Sequence, residues 1–405
     1  MVVMTTLVRV DLPLASAMAA ALAGVAIGLV ARDPAPSTNV AIRVDCTNEV
    51  LCAIAESRAL DVWSEHAGAG VPRDLVVDSD TLDDLRELGV EYDVLDPDID
   101  ATAAAESMRL QFRALHADWF SEFHDYREIT EHLRALAEAN PERMRMEGVG
   151  SSIDAQTIWA WKIGNGSERM MINGTQHARE WISSAVTTCV ADRLVNEYAT
   201  NPKIKQFVDT TTLWVVPVVN PDGYQYSWAG HRFWRKNRRD GHGVDLNRNW
   251  GVAWGGSGSS SNKRSEVYRG AKEFSEPEST ALRDLAAREK PSLHIDFHAY
   301  GQLILYPWNY TAAPAKDRDR FAALGDNITS AIVAQHGKRY TLIQGVELYP
   351  SAGTMNDWLY GELGSMSYAI ELRPKGGTGF VLPPEEIKPT CDEGLAAVLA
   401  LRGIR

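Results

Sequence analysis

The stretch Met170-Met171-Ile172-Asn173-Gly174-Thr175-Gln176-His177-Ala178-Arg179-Glu180 changes character halfway along. Met170–Asn173 reads as a short buried strand, Gly174 breaks it, and helical spacing resumes over Ser183–Tyr198. His177 and Glu180 therefore fall at a strand exit. The same alternation runs outward in both directions. Strands are predicted at Thr157–Ile163, Leu213–Val219, Leu293–Phe297 and Tyr368–Leu372, and helices at Tyr126–Ala139, Pro277–Arg288, Asp317–His336, Met355–Leu363 and Pro384–Leu401. Strands alternating with helices imply an α/β domain, a mixed, mostly parallel twisted sheet flanked by helices. In such sheets, sites form beyond the carboxyl ends of the strands.

A smaller unit precedes this one. Asn39–Val44 alternates like a strand, Asn48–Ser57 has helical spacing, Asp74–Val77 is strand-like, Thr81–Leu88 is helical and Glu91–Leu95 closes the set. The mixture describes a small α+β open sandwich. The stretch Asp96–Ser107 carries little to bury and reads as a connector. Ahead of everything, Leu12–Val30 runs for 19 residues without a charge, and Ala21-Leu22-Ala23 offers a small-residue cleavage site. This suits a secretory signal peptide over residues 1–31, with a membrane anchor as the alternative. Four N-x-S/T sequons, at Asn165, Asn173, Asn309 and Asn327, are compatible with that route.

Bulk properties exclude more than they identify. At 405 residues, 45% apolar and 23% charged, the chain is globular, and a formal charge of −13 argues against nucleic acid as its partner. Cys46, Cys52, Cys189 and Cys391 lack metal-site spacing. Cys46 and Cys52 are close enough for a local disulfide, while Cys189, in an apolar helical run, reads as a free buried thiol. Gly255–Ser261 (GGSGSSS) reads as a mobile surface loop.

A His and a Glu three apart can reach one metal ion, and imidazole nitrogen and carboxylate oxygen are both normal zinc ligands. The pair alone is a weak signal. A catalytic zinc needs a third protein ligand, for which His298, at the end of the strand Ser292–Phe297, is the candidate. His294 shares its face but lies inside the strand, where a satisfied core histidine is expected. The run Arg232–Arg239, followed by Asn247-Arg248-Asn249-Trp250, interleaves Arg with Trp and Asn. Its bland reading is a solvated basic surface; in so acidic a chain it fits a carboxylate receptor better. Glu371 stands on the otherwise apolar strand Tyr368–Leu372, as an ion-paired core group or as a general base beside a metal.

Taken in order, His177-Ala178-Arg179-Glu180-Trp181, Asn220-Pro221-Asp222-Gly223-Tyr224, Trp234-Arg235-Lys236, Asn247-Arg248-Asn249-Trp250, Leu303–Pro307 (LILYP), Asp357-Trp358 and Glu371-Leu372-Arg373 resemble the zinc metallocarboxypeptidases of the carboxypeptidase A/B (funnelin) family. The likeness spans Tyr126 to the C terminus, and the Asn39–Leu95 unit resembles the family's inhibitory prodomain. The resemblance implies one zinc ion per chain held by His177, Glu180 and His298, and water activated by zinc with Glu371 as general base. It implies Arg235 on the scissile carbonyl, Asn247 and Arg248 on the substrate's terminal carboxylate, Arg179 and Tyr300 at outer subsites, and Tyr349 closing over the substrate. It also implies a division into prodomain (38–100), connector (101–119) and catalytic domain (120–405).

Asn356 takes the position at the base of the family's side-chain pocket, with Gln344, Ser351 and Thr354 as neutral polar walls, so hydrophobic or broad specificity is expected. The segment between Arg235 and Asn247 is shorter than in the animal pancreatic enzymes and lacks their disulfide cysteines. The implied partners are peptides or proteins with a free C terminus and an activating protease; the connector carries no dibasic site, and Arg109 and Arg113 read equally as single-basic cleavage points or as ordinary helix-surface residues. No nucleic acid and no stable membrane association are expected. The implied destination is extracellular or a lytic vacuole. A non-catalytic zinc- or peptide-binding relative would lack the base or the polarising arginine; Glu371 and Arg235 are present. A zinc hydrolase of cell-wall peptides or N-acylated amino acids would not need Asn247, Arg248 and Tyr349 together.

Overall fold

A computed structural model describes residues 38–64, 70–111, 118–377 and 379–404. The apolar leader and Arg113 lie outside them. The first elements are β1 (Asn39–Val44), α1 (Glu49–Arg58), β2 (Asp61–Val62), β3 (Arg73–Asp78), α2 (Ser79–Glu87) and β4 (Tyr92–Asp96), with an antiparallel sheet in the order β2-β3-β1-β4. Both helices start where a side chain takes up free backbone N–H groups, Asn48 those of Val50 and Leu51, and Asp78 that of Thr81. Ile42, Leu75, Val77 and Leu85 form the fully buried centre, and Cys46 is bonded to Cys52.

The stretch expected to be a connector is helical. Residues 96–107 lead into α3 (Ile99–Gln111). Its large apolar side chains are few, though Ile99 and Leu110 are buried, and Glu106 supplies a polar anchor: 3% exposed, it accepts a 2.5 Å hydrogen bond from Arg232. Arg109, a candidate cleavage point, lies within this helix and pairs with Glu122 at 3.2 Å.

The larger part comprises α4 (Tyr126–Ala139), β5 (Met144–Ser151), β6 (Thr157–Ile163), β7 (Glu168–Gly174), α5 (Trp181–Asn196), α6 (Pro202–Thr210), β8 (Thr211–Val216) and α7 (Pro221–Trp228). There follow α8 (Pro277–Glu289), β9 (Leu293–Ala299), β10 (Leu303–Tyr306), α9 (Arg318–His336), β11 (Thr341–Gln344), α10 (Gly345–Leu348), α11 (Met355–Leu363), β12 (Met366–Leu372) and α12 (Ile387–Leu401). The eight strands are ordered β11-β10-β12-β9-β7-β8-β6-β5. The central run β12-β9-β7-β8 is parallel, and antiparallel pairings flank it.

Both faces of this sheet are covered, and strand alternation sorts the residues between them. Met170, Ile172, Leu213 and Val215 point to the side of α4, α5, α9 and α12. Met171, Trp214 and Val216 point to the side of α8 and α11. Each fully buried aliphatic side chain in these strands contributes about 1.5–3 kcal/mol, which fixes the register and with it the residues at the strand ends.

Two further expectations change. Cys189 of α5 is bonded to Cys391 of α12, so it is not a free thiol: the fold brings together two helices separated by 202 residues. Of the sequons, Asn173 and Asn309 are buried and Asn165 is exposed.

Candidate active site

The carboxyl edge of the central strands gathers the chemistry. His177 and Glu180 occupy the turn between β7 and α5, and His298 is the penultimate residue of β9. The Nδ1 atoms of His177 and His298 lie 3.2 Å apart, and each faces a Glu180 oxygen, at 2.7 and 3.0 Å. One ligand atom from each of the three buried residues lies within 4.8 Å of the other two, a set able to hold a metal ion. Burial opposes charge on Glu180, but the two imidazoles outweigh it and hold its carboxyl near 2. The acid is a ligand-ready carboxylate.

Each ring is oriented from behind. The Nε2 of His177 faces Asp245 at 3.1 Å, and the Nε2 of His298 faces Asp296 at 2.9 Å. With Nε2–H donated to a carboxylate, each ring keeps its orientation, and its Nδ1 would present a lone pair to a metal ion that displaces the Nδ1 proton. The sequence reading missed both acids. Asp296 carried a usable signal, since it stands two residues before His298 on the same strand face; Asp245 lies in a loop, where no periodicity marks it.

Glu371 arrives by register: parallel pairing of β12 with β9 sets it directly beside His298. Burial raises its carboxyl to about 7, with His298, His177 and Arg235 pulling the other way. Of the two readings left open for this residue, the geometry favours the group beside the metal cluster: Glu371 lines the same cleft as His177, Glu180, His298, Arg235 and Arg248.

Loops hold the cationic side in place. Asn220 caps α7 through Gly223 and, by its amide nitrogen, joins the carbonyls of Gln176 and Lys236, each at 3.1 Å. Gly223 is needed there, because a Cβ would stand 2.4 Å from the Lys236 carbonyl oxygen. That junction ties the His177 turn to the segment bearing Arg235, whose guanidinium is braced on Asp245 at 2.9 Å. Asn247 accepts from the Met355 backbone N–H at 2.9 Å, and Arg248 donates to the Gly258 carbonyl at 2.8 Å. The Gly-Ser loop at 255–261, expected to be free, is thus fastened to the site, with Ser257 also accepting from Ala352 at 2.9 Å.

A model of the zinc carboxypeptidase family matches residues 129–397. This chain belongs to that family. Carboxypeptidase B of Astacus astacus is 36% identical over 294 residues, covering 69% of this chain and 96% of its own. Carboxypeptidase A1 of Mus musculus is 30% identical over 365 residues, covering 85% and 87%. The crystal structure of carboxypeptidase A from Helicoverpa armigera superposes with a TM-score of 0.80 at 26% identity, covering 90% of this chain and 98% of that one. The chain is accordingly a zinc metallocarboxypeptidase, a peptide hydrolase that uses one zinc ion.

In this carboxypeptidase Tyr300, Tyr349, Ser351, Thr354 and Asn356 line a cleft of about 390 Å³ together with the metal cluster. Gln344 does not: its amide turns away to donate to the carbonyls of Thr311 and Ala313 at 2.9 and 3.1 Å. Arg179 and Tyr300 are engaged by the small N-terminal sheet, Arg179 by Asp61 at 2.8 Å and Tyr300 by Asp74 at 2.6 Å. The other cations of the 232–239 run serve structure. Arg232 pairs with Glu106, Arg239 pairs with Glu276, and Arg238 lies 3.6 Å over the Tyr226 ring. Only Arg235 of this run reaches the cleft. His294 is the satisfied core histidine expected, held between Ser367 and Asn173 at 2.7 Å each.

Proposed function

We propose that this chain removes C-terminal residues from peptides and proteins and is made as a latent precursor whose N-terminal unit covers the cleft. One juxtaposition carries the reading: two histidines and a glutamate converge at the ends of β7 and β9, with Glu371 on one side and Arg235 and Arg248 on the other. His177 and His298, through Nδ1, and Glu180, through its carboxylate, would hold the zinc; nitrogen and oxygen donors of this kind suit it. When bound, zinc lowers the pKa of a water to roughly 7 and polarises a carbonyl oxygen.

The chain's own groups do the rest. Glu371 takes the proton of the attacking water and passes it to the leaving amine. Arg235, immobilised by Asp245, meets the oxygen that gains charge, an interaction typically worth about 3–4 kcal/mol when preorganised. Arg248 and the amide nitrogen of Asn247 take the terminal carboxylate. Tyr349 closes beside them; its phenol is protonated at neutral pH in any case, and burial raises it further. An internal peptide segment offers no charge to Arg248, which disfavours endoproteolysis. Arg179 and Tyr300 serve subsites on the amino side of the scissile bond. Among the described residues no carboxylate faces a substrate side chain from the wall of Ser351, Thr354 and Asn356, so a neutral C-terminal residue is accepted rather than a cationic one.

Latency rests on the same residues. Asp61 and Asp74 occupy Arg179 and Tyr300, and Trp63 packs on Phe233 and Phe380 with ring centroids 5.2 and 5.4 Å apart. An activating protease cutting between α3 and α4 would release this cover. Two disulfides support folding in an oxidising compartment, reached through the leader peptide: the cell exterior or a lytic vacuole. Among the described residues no helix is long and apolar enough to cross a membrane.

The test uses the zinc-loaded full chain after limited proteolysis, with N-blocked dipeptides whose C terminus is free or amidated. The free acids are hydrolysed, the amides are not, and a chelator abolishes the activity until zinc is restored. Glu371→Gln keeps its metal and loses about 10²–10⁴ in turnover. Near-normal turnover in that variant removes Glu371 as base; equal cleavage of the amides removes the exopeptidase reading.

A further inference from the structure

The base of the cleft carries a hydrogen-bond donor with nothing to bind. Asp357 is buried, and its carboxyl accepts from Asn309 twice over, from the backbone N–H at 2.9 and 3.1 Å and from the amide nitrogen at 2.7 Å. Those contacts fix which way the Asn309 amide points, with nitrogen toward Asp357. The same nitrogen lies 2.9 Å from Asn356 Oδ1. Asn356 is thereby fixed in turn, its oxygen toward Asn309 and its own nitrogen toward the cleft that it lines. That Nδ2 is buried, in a residue 2% exposed, and finds no acceptor among the described residues. The arrangement is rigid from behind: a Cβ at Gly345 would stand 1.8 Å from Asn309 Oδ1, so Asn309 packs directly on glycine backbone and has no room to swing.

A buried donor left unpaired is costly, and a site built around one rejects ligands that cannot satisfy it. We propose, resting on the carboxypeptidase reading above, that the pocket selects a C-terminal residue with a side-chain carboxamide, glutamine or asparagine. The carboxamide oxygen takes the Asn356 N–H, and the carboxamide nitrogen finds hydroxyl acceptors in Ser351 and Thr354, which line the same cleft. Other classes do worse for separate reasons. An aliphatic or aromatic side chain excludes water and leaves Nδ2 unpaired. A cationic one sets donor against donor. An anionic one is brought into a buried pocket next to Asp357, with only the neutral groups of Ser351, Thr354 and Asn356 to hold it.

The experiment is a kcat/KM panel on the zinc-loaded full chain, before and after limited proteolysis, with N-blocked dipeptides ending in Gln, Asn, Leu, Phe, Glu and Lys. Gln or Asn is expected to exceed Leu and Phe by about tenfold or more. Asn356→Leu is expected to reverse that order. Asn356→Asp, which keeps the shape and replaces the donor with a carboxylate, is expected to lose the amide preference and gain Lys. Leu or Phe equal to or above both amides, with all activity zinc-dependent, overturns the proposal and leaves the carboxypeptidase reading standing. Failure to hydrolyse any of the six overturns both.

Discussion

Asp296 accepts hydrogen bonds from Asn173, Gln176 and His298, at 2.6, 2.5 and 2.9 Å, and all four side chains are buried. Behind Asn173 stands His294, kept neutral by burial, which pulls it down to about 4. The chain of contacts from Ser367 through His294, Asn173 and Asp296 ends on a ring that points its other nitrogen at the metal cluster. Asp296→Asn keeps the volume but sets its amide N–H against those of Asn173 or Gln176, so the His298 ring loses its fixed tautomer. Zinc affinity is expected to fall about 10–100-fold, as for other supporting partners of metal-ligating histidines, read by competition with a chelator of known affinity. An unchanged zinc dissociation constant together with a lowered melting temperature would mean that Asp296 only fills space. A second buried acid reports on pH. Burial, with Glu276 adding to it, raises the Glu278 carboxyl from 4.5 to about 7. Between those values the unfolded chain has lost a proton that the folded chain retains, so stability falls as pH rises through the window and levels off above it. Glu278→Gln is expected to gain on the wild type by about 2 kcal/mol between pH 5 and 8; equal stability differences at both pH values would contradict this. At this scale the sequence was informative where a polar residue interrupts an apolar period, as at His298 and Glu371. It was silent on Asp245, Asp74 and Asn309, which matter through partners more than 40 residues away.

At the scale of elements, the central strands and the longer helices were legible because each carries its own period. Asn201-Pro202 and Asn220-Pro221 open α6 and α7 with a cap and a proline at the first turn, but these helices are too short to show a period and went unread. The four-residue strands β10 and β11 are likewise too short, β5 is interrupted by Gly148 and Gly150, and α3 has no apolar stripe, so these were missed or read as a link. The pairing of Cys189 with Cys391 was hidden for a different reason. Each lies in an apolar helical run, and only the packing of α5 against α12 makes their Cα atoms 6.0 Å apart. That bond closes a loop of 202 residues, against 6 for Cys46–Cys52. On the chain-entropy account the longer loop restrains the unfolded chain more, by about 3 kcal/mol. The paired change Cys189→Ala with Cys391→Ala is therefore expected to cost more stability than Cys46→Ala with Cys52→Ala. Unfolding curves of the two double variants decide it, and a smaller loss for the long loop would count against an entropic origin.

At the scale of the whole molecule, the contacts of the small N-terminal sheet and α3 with the catalytic part include, among the described residues, Asp61 on Arg179, Asp74 on Tyr300, Glu106 on Arg232 and Arg109 on Glu122. The first two fall on residues proposed to bind substrate, and the last two lock the helix that leads out of the unit. Asp74 is 2% exposed and is itself held by a bidentate contact from Arg43, at 2.6 and 2.7 Å. Removing its carboxylate therefore leaves the Arg43 guanidinium without its partner inside the interface, which weakens the cover from both sides. A charge-assisted hydrogen bond of this type is worth about 1.5–3 kcal/mol, so Asp74→Ala is expected to raise the activity of the uncleaved chain by about 10–100-fold. The same change is expected to leave the activity after limited proteolysis within a factor of two or so of the wild type, because Asp74 departs with the cover. Assaying both proteins before and after proteolysis separates the two effects. An uncleaved wild-type chain as active as the cleaved one would show that these contacts do not restrain the enzyme, whatever the variant does.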